Sequence, residues 1–354
     1  MTVYRFEDIA FNSTKKKKPV EEDKYTYLGL EHLDPDSIYV TRYGADIAPK
    51  GQKLIMKKGD VLFGKRRAYQ KKVAIAPFDG IFSAHGMVLR PKEDVIDKDF
   101  FPLFIKSDYF LDEAIKISVG SLSPTVNWKN LKELKFELPS LSEQKKLAAV
   151  LWSIYETKEE YKKLIDATDE LIKSQFIEVL NSTENKKKLT EISRPKQWKT
   201  IATQYFTDDG YPVYGANGQI GYYTEYNHEM PTITIACRGA SCGAINVTRE
   251  KSYINGNAMC LDNVDDSVDL RFLEYALRTI DFSYVITGSA QPQITANNLN
   301  KVIISIPEME VQLKCSEFVE ASDKSKFALQ EAIKNLEALS KKIIAKSLMT
   351  AGKE

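Results

Sequence analysis

An internal repeat constrains the fold of this chain more than any other feature of its sequence. The segment from Gly120 to Gln144 aligns without a gap with the segment from Gly288 to Gln312, at an offset of 168 residues. The register continues through Ile165 and its match Ile333 as far as Leu180 and its match Leu348, which is about sixty residues in all. A repeat of this length predicts a duplicated chain, in which a variable module and a shared segment occur twice in succession.

The variable modules match each other more weakly and in a different register. Met87 and Leu89 lie opposite Met259 and Leu261 at an offset of 172, so the alignment shifts by four residues. The chain has 354 residues, which is enough for two domains of ~150 residues and their connectors. The predicted divisions are a first domain at 1–139, a central spacer helix at 140–182, a second domain at 183–307 and a distal spacer helix at 308–354.

The shared segments have the spacing of long helices. No Gly or Pro occurs between Pro139 and Leu180, where apolar residues recur at alternating intervals of three and four. We expect helices at 142–180, with Ser142 as N-cap, and at 308–349. Neither helix can bury its apolar stripe alone, so we expect the two to pack together; in the alternative, each packs within its own domain. The predicted seam includes Leu147, Leu151, Ile165, Leu171, Ile172, Phe176, Val319, Ile333, Leu339 and Ile343.

Each module contains short apolar runs separated by Gly, Pro and Asp, which is typical of strands joined by turns. Strands are predicted at Lys53–Met56, Val61–Phe63, Lys72–Ala76, Met87–Leu89, Thr232–Ala236, Gly243–Val247 and Ala258–Leu261. Helices are predicted at Phe100–Ile117 and Leu270–Arg278. The predicted fold class is α/β (α+β): two similar globular domains joined by two long antiparallel coiled-coil helices, with pseudo-two-fold symmetry.

Charge is balanced overall but concentrated locally. The formal net charge is +1, which excludes a uniformly basic protein. Residues 50–72, however, contain nine Lys or Arg and one acidic residue, Asp60, and a second basic run covers Lys15–Lys18. Such concentrations are expected where a protein contacts nucleic-acid phosphates. A solvated face without a ligand is the alternative.

The motifs that could indicate catalysis or metal binding are incomplete. Gly59–Lys65 resembles a P-loop, but Arg66 stands where Ser or Thr is needed to bind the metal. Cys237 and Cys242 are too far apart for a typical zinc pair, although Cys260 and His228 lie nearby in sequence. His85 has no catalytic partner at a recognisable spacing. We predict no catalytic residues and no metal site.

The sequence also constrains the compartment. No run of ~18 uncharged apolar residues occurs, so no membrane span is expected. The N-terminal segment lacks the apolar region of a secretory signal, and four cysteines are too few for a disulfide framework. We therefore predict a cytoplasmic protein.

Polar loops offer side chains suited to DNA. Arginine can bind guanine O6 and N7 with two hydrogen bonds, asparagine and glutamine can bind adenine, and lysines contact phosphates. The alternative is that these loops only form turns. The candidate DNA-binding residues are Lys65, Arg66, Arg67, Tyr69, Lys71, Lys72, Asn217, Gln219, Arg238 and Ser241.

Over its whole length the chain resembles the specificity subunits of type I restriction-modification systems. The stretches 59–74 and 214–223 are similar to segments of their target recognition domains. The segment Gly288–Thr295 is similar to the junction that precedes their shared helices. The first copy differs from that junction, since Ser123 and Thr125 stand where the second copy has Gln291 and Gln293. These differences weaken any essential role for the junction glutamines in DNA contact.

The resemblance implies a subunit without catalytic activity that recognises a bipartite site on double-stranded DNA, one half per domain. The helices would set the length of the unread spacer. Two adenine-N6 methyltransferase subunits would dock on the chain, and they would bind S-adenosylmethionine, so this chain would hold no cofactor of its own. ATP-dependent restriction subunits would join the full complex.

Two other interpretations remain open at this point. The specificity subunit of a type IIB restriction enzyme has a similar architecture, with partners that cut and methylate without ATP. A coiled-coil scaffold that binds no DNA would explain the helices, but it would not explain the basic segment at 50–72.

Overall fold

A computed structural model describes residues 1–288 and 291–348. The chain divides into two compact units, which are named unit 1 and unit 2. Unit 1 contains Met1–Tyr161 and the chain from Glu331 onward, and unit 2 contains Lys162–Gln330. Within the described residues, no helix is both long and apolar enough to cross a membrane. The boundaries of these units lie inside the two long helices, and the four-part division given above stays a prediction.

The strands and helices occupy the following residues. Unit 1 contains β1 (Thr2–Arg5), β2 (Ala10–Ser13), β3 (Lys16–Lys17), β4 (Tyr27–Leu28), β5 (Lys53–Met56), β6 (Val61–Phe63), β7 (Val73–Ile75), β8 (Gly80–Phe82), β9 (Met87–Pro91) and β10 (Lys135–Leu138). Unit 2 contains β11 (Lys186–Lys188), β12 (Arg194–Gln197), β13 (Tyr211–Gly215), β14 (Gly218–Tyr223), β15 (Ile233–Ala236), β16 (Ile245–Val247), β17 (Tyr253–Ile254), β18 (Ala258–Asp262) and β19 (Ile303–Ser305). The helices are α1 (Phe6–Ile9), α2 (Phe100–Lys106), α3 (Asp108–Lys116), α4 (Trp128–Leu131), α5 (Leu141–Ser182), α6 (Leu189–Ile192), α7 (Leu270–Arg278), α8 (Ala296–Leu299) and α9 (Met309–Leu348).

The two units share their sheet topology. Unit 1 has a four-stranded sheet of order β2-β9-β6-β7, and unit 2 has the same sheet as β12-β18-β15-β16. Phe63 lies opposite Met87 in the first sheet, and Ile235 lies opposite Met259 in the second. These pairs differ by 172 residues. The structure therefore confirms the shifted register, and with it the duplication and the mixed helix-and-sheet fold.

Each unit has its own apolar core, which continues into the long helices. In unit 1, the rings of Phe6, Phe110 and Phe136 pack at centroid distances of 5.1–6.0 Å. Leu151 of α5 and Leu348 of α9 are buried against the same core. In unit 2, Phe176 of α5 stacks on Phe272 of α7 at 5.6 Å, and Val319 of α9 is buried in that core.

The long helices contact each other within each unit. In unit 1, Lys158 of α5 lies 3.2 Å from Glu337 of α9. In unit 2, Asp169 of α5 lies 2.7 Å from Lys326 of α9. The partner's number falls as α5 advances, so the helices pair antiparallel, as predicted.

The seam differs in detail from the prediction. Ile172 is buried in the core, but the adjacent Leu171 is 51% exposed, and Leu339 is 46% exposed. Lys158 lies within the seam at 9% exposure, where Glu337 neutralises its charge. A single polar residue buried in a helix seam, such as Lys158, can fix the register of two helices. Sequence spacing alone could not separate Leu171 from Ile172. Neighbouring residues of a helix point about 100° apart, and here Ile172 is the one that faces the core.

Two helix boundaries also differ from prediction. The N-cap of α5 is Ser140 rather than Ser142, because Ser140 and Glu143 form a reciprocal capping box. The predicted helix Phe100–Ile117 is two helices, α2 and α3. Ser107 separates them, and its hydroxyl accepts a hydrogen bond from the backbone N–H of Phe110.

Candidate nucleic-acid interface

Residues 64–72 connect β6 to β7 and are named the basic loop here. The backbone N–H of Gly64 donates to the carbonyl of Lys72 at 2.9 Å, which closes the base of the loop. Arg67 and Lys71 have positive φ angles of 54° and 51°. Residues with a Cβ seldom adopt this conformation, which is frequent at functional loops. The surrounding structure must therefore hold the loop in place.

A second loop, residues 119–126, provides that support and is named junction loop 1. Val119 and Thr125 exchange backbone hydrogen bonds across its base at 3.0 and 2.9 Å. The Arg67 N–H donates to the carbonyl of Pro124 at 2.7 Å, and the Val126 N–H donates to the carbonyl of Lys65 at 2.9 Å. The basic loop and junction loop 1 are thus joined through backbone groups on both sides of Arg66.

Unit 2 repeats this arrangement. The corresponding loop, residues 287–294, is named junction loop 2, and its residues 289 and 290 lie outside the described part of the chain. The Gly239 N–H donates to the Pro292 carbonyl at 3.0 Å, and the Ile294 N–H donates to the Cys237 carbonyl at 3.0 Å. The residue held between them is Arg238. Arg238 and Arg66 differ by 172 residues, so the two arginines occupy equivalent positions in the duplicated fold.

A glycine in each junction loop explains part of the repeat. Gly120 and Gly288 both have positive φ, at 112° and 87°. A Cβ on Gly288 would lie 2.5 Å from the backbone oxygen of Gln291, which no side chain can tolerate. The identity of these two positions therefore follows from backbone geometry.

The positive charges of unit 1 converge around the basic loop. Burial, followed by the charge of Lys16, lowers the pKa of Lys65. Burial, followed by the charges of Arg66, Lys65 and Lys53, lowers the pKa of His85. Cations lower the pKa of neighbouring bases, so the secondary contributions of these lysines and of Arg66 indicate that several positive charges lie close together here. The fold brings the Lys15–Lys18 run close to the 50–72 run, which the sequence did not predict.

The exposed candidates of unit 1 project from the loop with little restraint. The Arg66 guanidinium lies 3.5 Å from His85 Nε2 and 3.5 Å from Ser123 Oγ, at the limit of hydrogen bonding. Arg66 and Arg67 are exposed, and Tyr69 is 54% exposed. Guanidinium groups in this state can reach base edges or phosphates.

Lys71 and Lys72 instead bind within the unit. Lys71 Nζ lies 2.7 Å from Asp108 Oδ1 and 3.0 Å from Asp112 Oδ1. Burial opposes the charge, but the hydrogen bonds with Asp108 and Asp112 raise the pKa of Lys71. Lys72 Nζ donates to the carbonyl of Leu30 at 2.7 Å. Both lysines thus anchor the basic loop, and their assignment to DNA stays a prediction.

The unit 2 candidates lie on two neighbouring loops. Arg238 is exposed after β15, and Ser241 is half-buried in the turn before β16. Asn217 and Gln219 are exposed at the tip of the β13–β14 hairpin. Asn246 of β16 donates from Nδ2 to the carbonyl of Ala216 at 3.4 Å, which joins the hairpin to that sheet.

Gln144 and Gln312 align in the internal repeat, but the sequence predicted no role for them. Gln144 and Gln312 are each 1% exposed. The Gln144 amide accepts from the Asp97 N–H at 2.8 Å and donates to the carbonyls of Val95 and Pro139. Gln312 makes the same three bonds, to Asp269, Ser267 and Pro307. These glutamines join the start of each long helix to its domain.

The fold and these loops define a class of protein: a duplicated module with an exposed, equivalent arginine in each copy, joined by long paired helices. The chain belongs to the family of the type I restriction modification DNA specificity domain, whose model matches residues 1–167 and 181–338.

Several relatives support this assignment. The MjaX type I restriction enzyme specificity subunit of Methanocaldococcus jannaschii is 23% identical over 98% of this chain and 91% of its own length. The EcoDI specificity subunit of Escherichia coli is 28% identical over 142 residues, and the EcoprrI specificity subunit is 24% identical over 113. The chain spans 31% and 28% of the lengths of these two curated relatives.

Solved structures share the fold. A chain from work on complex assembly and conformational transition of the type I R-M system superposes with a TM-score of 0.62 at 18% identity, covering 98% of this chain and 97% of that one. The S subunit from M. genitalium superposes with a TM-score of 0.59 at 16% identity, covering 98% of this chain and 96% of that chain.

Proposed function

We propose that the chain is the non-catalytic specificity subunit of a restriction-modification complex, and that each unit recognises one half of a bipartite site on duplex DNA. The observation that carries the proposal is the equivalence of Arg66 and Arg238. Each is exposed, and each is held between backbone hydrogen bonds to a junction loop. An arginine that recognises a base needs such rigid support, because its guanidinium must stay aligned with the hydrogen-bonding edge of that base.

The surroundings of the two arginines differ, as expected for different half-sites. Arg66 is followed by Arg67 and bridges Thr125 through its backbone, with His85 and Ser123 beside its guanidinium. Arg238 is followed by Gly239 and makes the same backbone bridge with Gln293. The lysines of two strands close to the basic loop, Lys16 on β3 and Lys53 on β5, suit phosphate contacts. Such contacts position a protein on DNA without sequence preference.

The long helices offer a surface for the proposed methyltransferase partners. Leu164 of α5 is 51% exposed and Phe327 of α9 is 64% exposed, both in unit 2. Contiguous exposed apolar patches mark protein–protein contacts, and the proposal takes these two side chains as parts of such a patch. In this proposal two adenine-N6 methyltransferase subunits dock there and bind S-adenosylmethionine, and ATP-dependent restriction subunits join through them.

Module exchange tests this function. Residues 190–285 are replaced by the equivalent segment of a relative, the chain is co-expressed with its methyltransferase, and methylated adenines are mapped across the host genome. We expect one half of the methylated motif to change and the other half to persist. A change in both halves, or methylation that does not depend on the chain, contradicts the proposal.

A further inference from the structure

Three potential metal ligands converge in unit 2, away from the proposed DNA-binding loops. His228 lies in the segment after β14, and Cys260 and Asp262 lie on β18. His228 Nε2 is 2.9 Å from Asp262 Oδ1 and 3.3 Å from Cys260 Sγ. All three ligand atoms lie within 4.8 Å of one another. Ligands of a tetrahedral zinc ion are separated by roughly 3.3–3.7 Å, so small adjustments would place them around one ion.

The hydrogen bonds of Asn227 fix the orientation of the histidine. Asn227 Oδ1 accepts from the Ile254 N–H at 2.8 Å, and its Nδ2 donates to the Ile254 carbonyl. Its oxygen therefore faces His228 Nδ1, at 2.7 Å. Nδ1 must carry a proton to donate to it, which leaves the lone pair of a neutral imidazole on Nε2. Metal-binding histidines are typically oriented in this way.

This orientation creates a conflict that a cation would resolve. The Nε2 lone pair of a neutral His228 faces the carboxylate oxygen of Asp262 at 2.9 Å, so two acceptors face each other. The Cys260 sulfur, whose thiol donates to Thr232 Oγ1 at 3.7 Å, lies beside them. A cysteine–histidine–aspartate catalytic triad would instead place the acid and the thiol on different ring nitrogens. The convergence of sulfur, oxygen and nitrogen on one point is the arrangement of metal ligands.

The equivalent place in unit 1 holds an ion pair. At the 172-residue offset, Arg90 corresponds to Asp262 and Asp60 corresponds to Thr232. Arg90 Nε and Nη2 bind the Asp60 carboxylate at 2.5 and 2.8 Å, which ties β9 to the start of β6. Unit 2 has an acid, Asp262, at the position of this arginine, and the uncharged Thr232 at the position of Asp60. A cation bound by Asp262 would supply at this place the positive charge that Arg90 supplies in unit 1.

The surroundings suit a partly open site. His228 and Asp262 side chains are 13% and 14% exposed, and Cys260 is fully buried. The Trp198 ring packs edge-on against His228 at 5.0 Å. A cavity of about 390 Å³ adjoins the cluster and is lined by Trp198, His228, Glu229 and Asp262, among others. This cavity has room for a water molecule as a fourth ligand.

We propose that unit 2 binds one zinc ion through His228 Nε2, Cys260 Sγ and Asp262, with water as the fourth ligand. A mixed nitrogen, sulfur and oxygen set favours zinc over magnesium or calcium. The ion would fix the segment around His228 to β18 and stabilise the unit. Sequence spacing missed the site, because it compared Cys237 with Cys242 and did not include Asp262.

Cobalt provides the spectroscopic probe. The purified full chain is stripped with a chelator and titrated with Co²⁺, whose thiolate complexes absorb in the near ultraviolet. We expect one Co²⁺ per chain, displaced by one Zn²⁺. H228A, C260S and D262N should lose stoichiometric binding, and C260S should lose the thiolate band. C237S is the matched control, because Cys237, the residue after β15, is also fully buried but lies outside the cluster, and it should bind normally.

Thermal unfolding separates loss of metal from loss of fold. Zinc should raise the Tm of the stripped wild-type chain and leave the Tm of D262N unchanged. Absence of stoichiometric binding by the folded wild-type chain would overturn the proposal and leave a direct His228–Asp262 hydrogen bond. Retention of the thiolate band in C260S would also overturn it.

Discussion

At the scale of single residues, the structure separates arginines that project from lysines that anchor. Arg66, Arg67 and Arg238 are exposed, whereas Lys71 and Lys72 bind acceptors within unit 1. The sequence grouped all five as DNA ligands, because charge density carries no information on partners distant in the chain. Asp108, the partner of Lys71, lies 37 residues away.

The equivalent arginines should each control one half-site. R66A should relax specificity at one base position in the half-site read by unit 1, and R238A should do so in the other, each at a cost of ~1–3 kcal/mol if two hydrogen bonds to guanine are lost. Competition binding with single-base variants of the motif measures this. R278A is the control, because Arg278 is paired with Glu274 on α7. Equal effects of R66A on both half-sites would contradict the assignment.

Salt dependence should distinguish Arg67 from Lys71. If Arg67 contacts a phosphate, R67A lowers the slope of log K against log salt by about one. K71A should leave the slope unchanged, because Asp108 and Asp112 already neutralise Lys71. Affinities measured across a salt series provide the test, and a reduced slope in K71A would show that this lysine leaves its acids to bind DNA.

At the scale of elements, the buried glutamines should stabilise the two helix starts. Q144L and Q312L each remove three hydrogen bonds and leave buried backbone groups without partners. The expected loss is ~2–4 kcal/mol in free energy of unfolding, measured by urea denaturation. Q175L is the control, because Gln175 is exposed on the same helix as Gln144. Equal losses in Q144L and Q175L would refute the role.

Local patterns predicted most elements and failed where tertiary contacts decide. The 3,4-spacing gave α5 and α9 within about two residues of their ends, and α7 was predicted at its observed bounds. Spacing could not choose between Leu171 and Ile172, because only the facing helix determines which is buried. The sequence contains the Ser140–Glu143 capping box, but the prediction placed the N-cap at Ser142. The positive φ of Arg67 is held by the hydrogen bond from its N–H to the Pro124 carbonyl. Because Pro124 is distant in the chain, no local sequence pattern predicts this conformation.

At the scale of the whole molecule, the paired helices should determine spacer length. Four residues are inserted after Ala167 in α5 and after Phe327 in α9, so that the antiparallel pairing is kept. Four helical residues add ~6 Å, and the unread spacer should lengthen by one to two base pairs at ~3.4 Å each. Methylome mapping reports the result. An insertion in α5 alone should reduce methylation, because it displaces Asp169 from Lys326; an active double insertion with an unchanged spacer would refute the prediction.

Partner binding should depend on the exposed helix residues. The double variant L164D/F327D should reduce co-purification of the methyltransferase at least tenfold, because it places charge in an apolar contact. Its DNA affinity in isolation should be unaffected. I47D is the control, because Ile47 is 69% exposed in a loop of unit 1. Normal co-purification of the double variant would place the docking surface elsewhere.

The bonds between each arginine loop and its junction loop come from peptide groups, and this has a consequence for how such a chain can evolve. Thr125 and Gln293 fill one position in the two copies, and Arg67 and Gly239 fill another, yet the hydrogen bonds are the same. Mutation can therefore replace the side chains on this surface while the scaffold persists. If these loops recognise DNA as proposed, substitutions there would change the target while the backbone bonds that hold the loops remain.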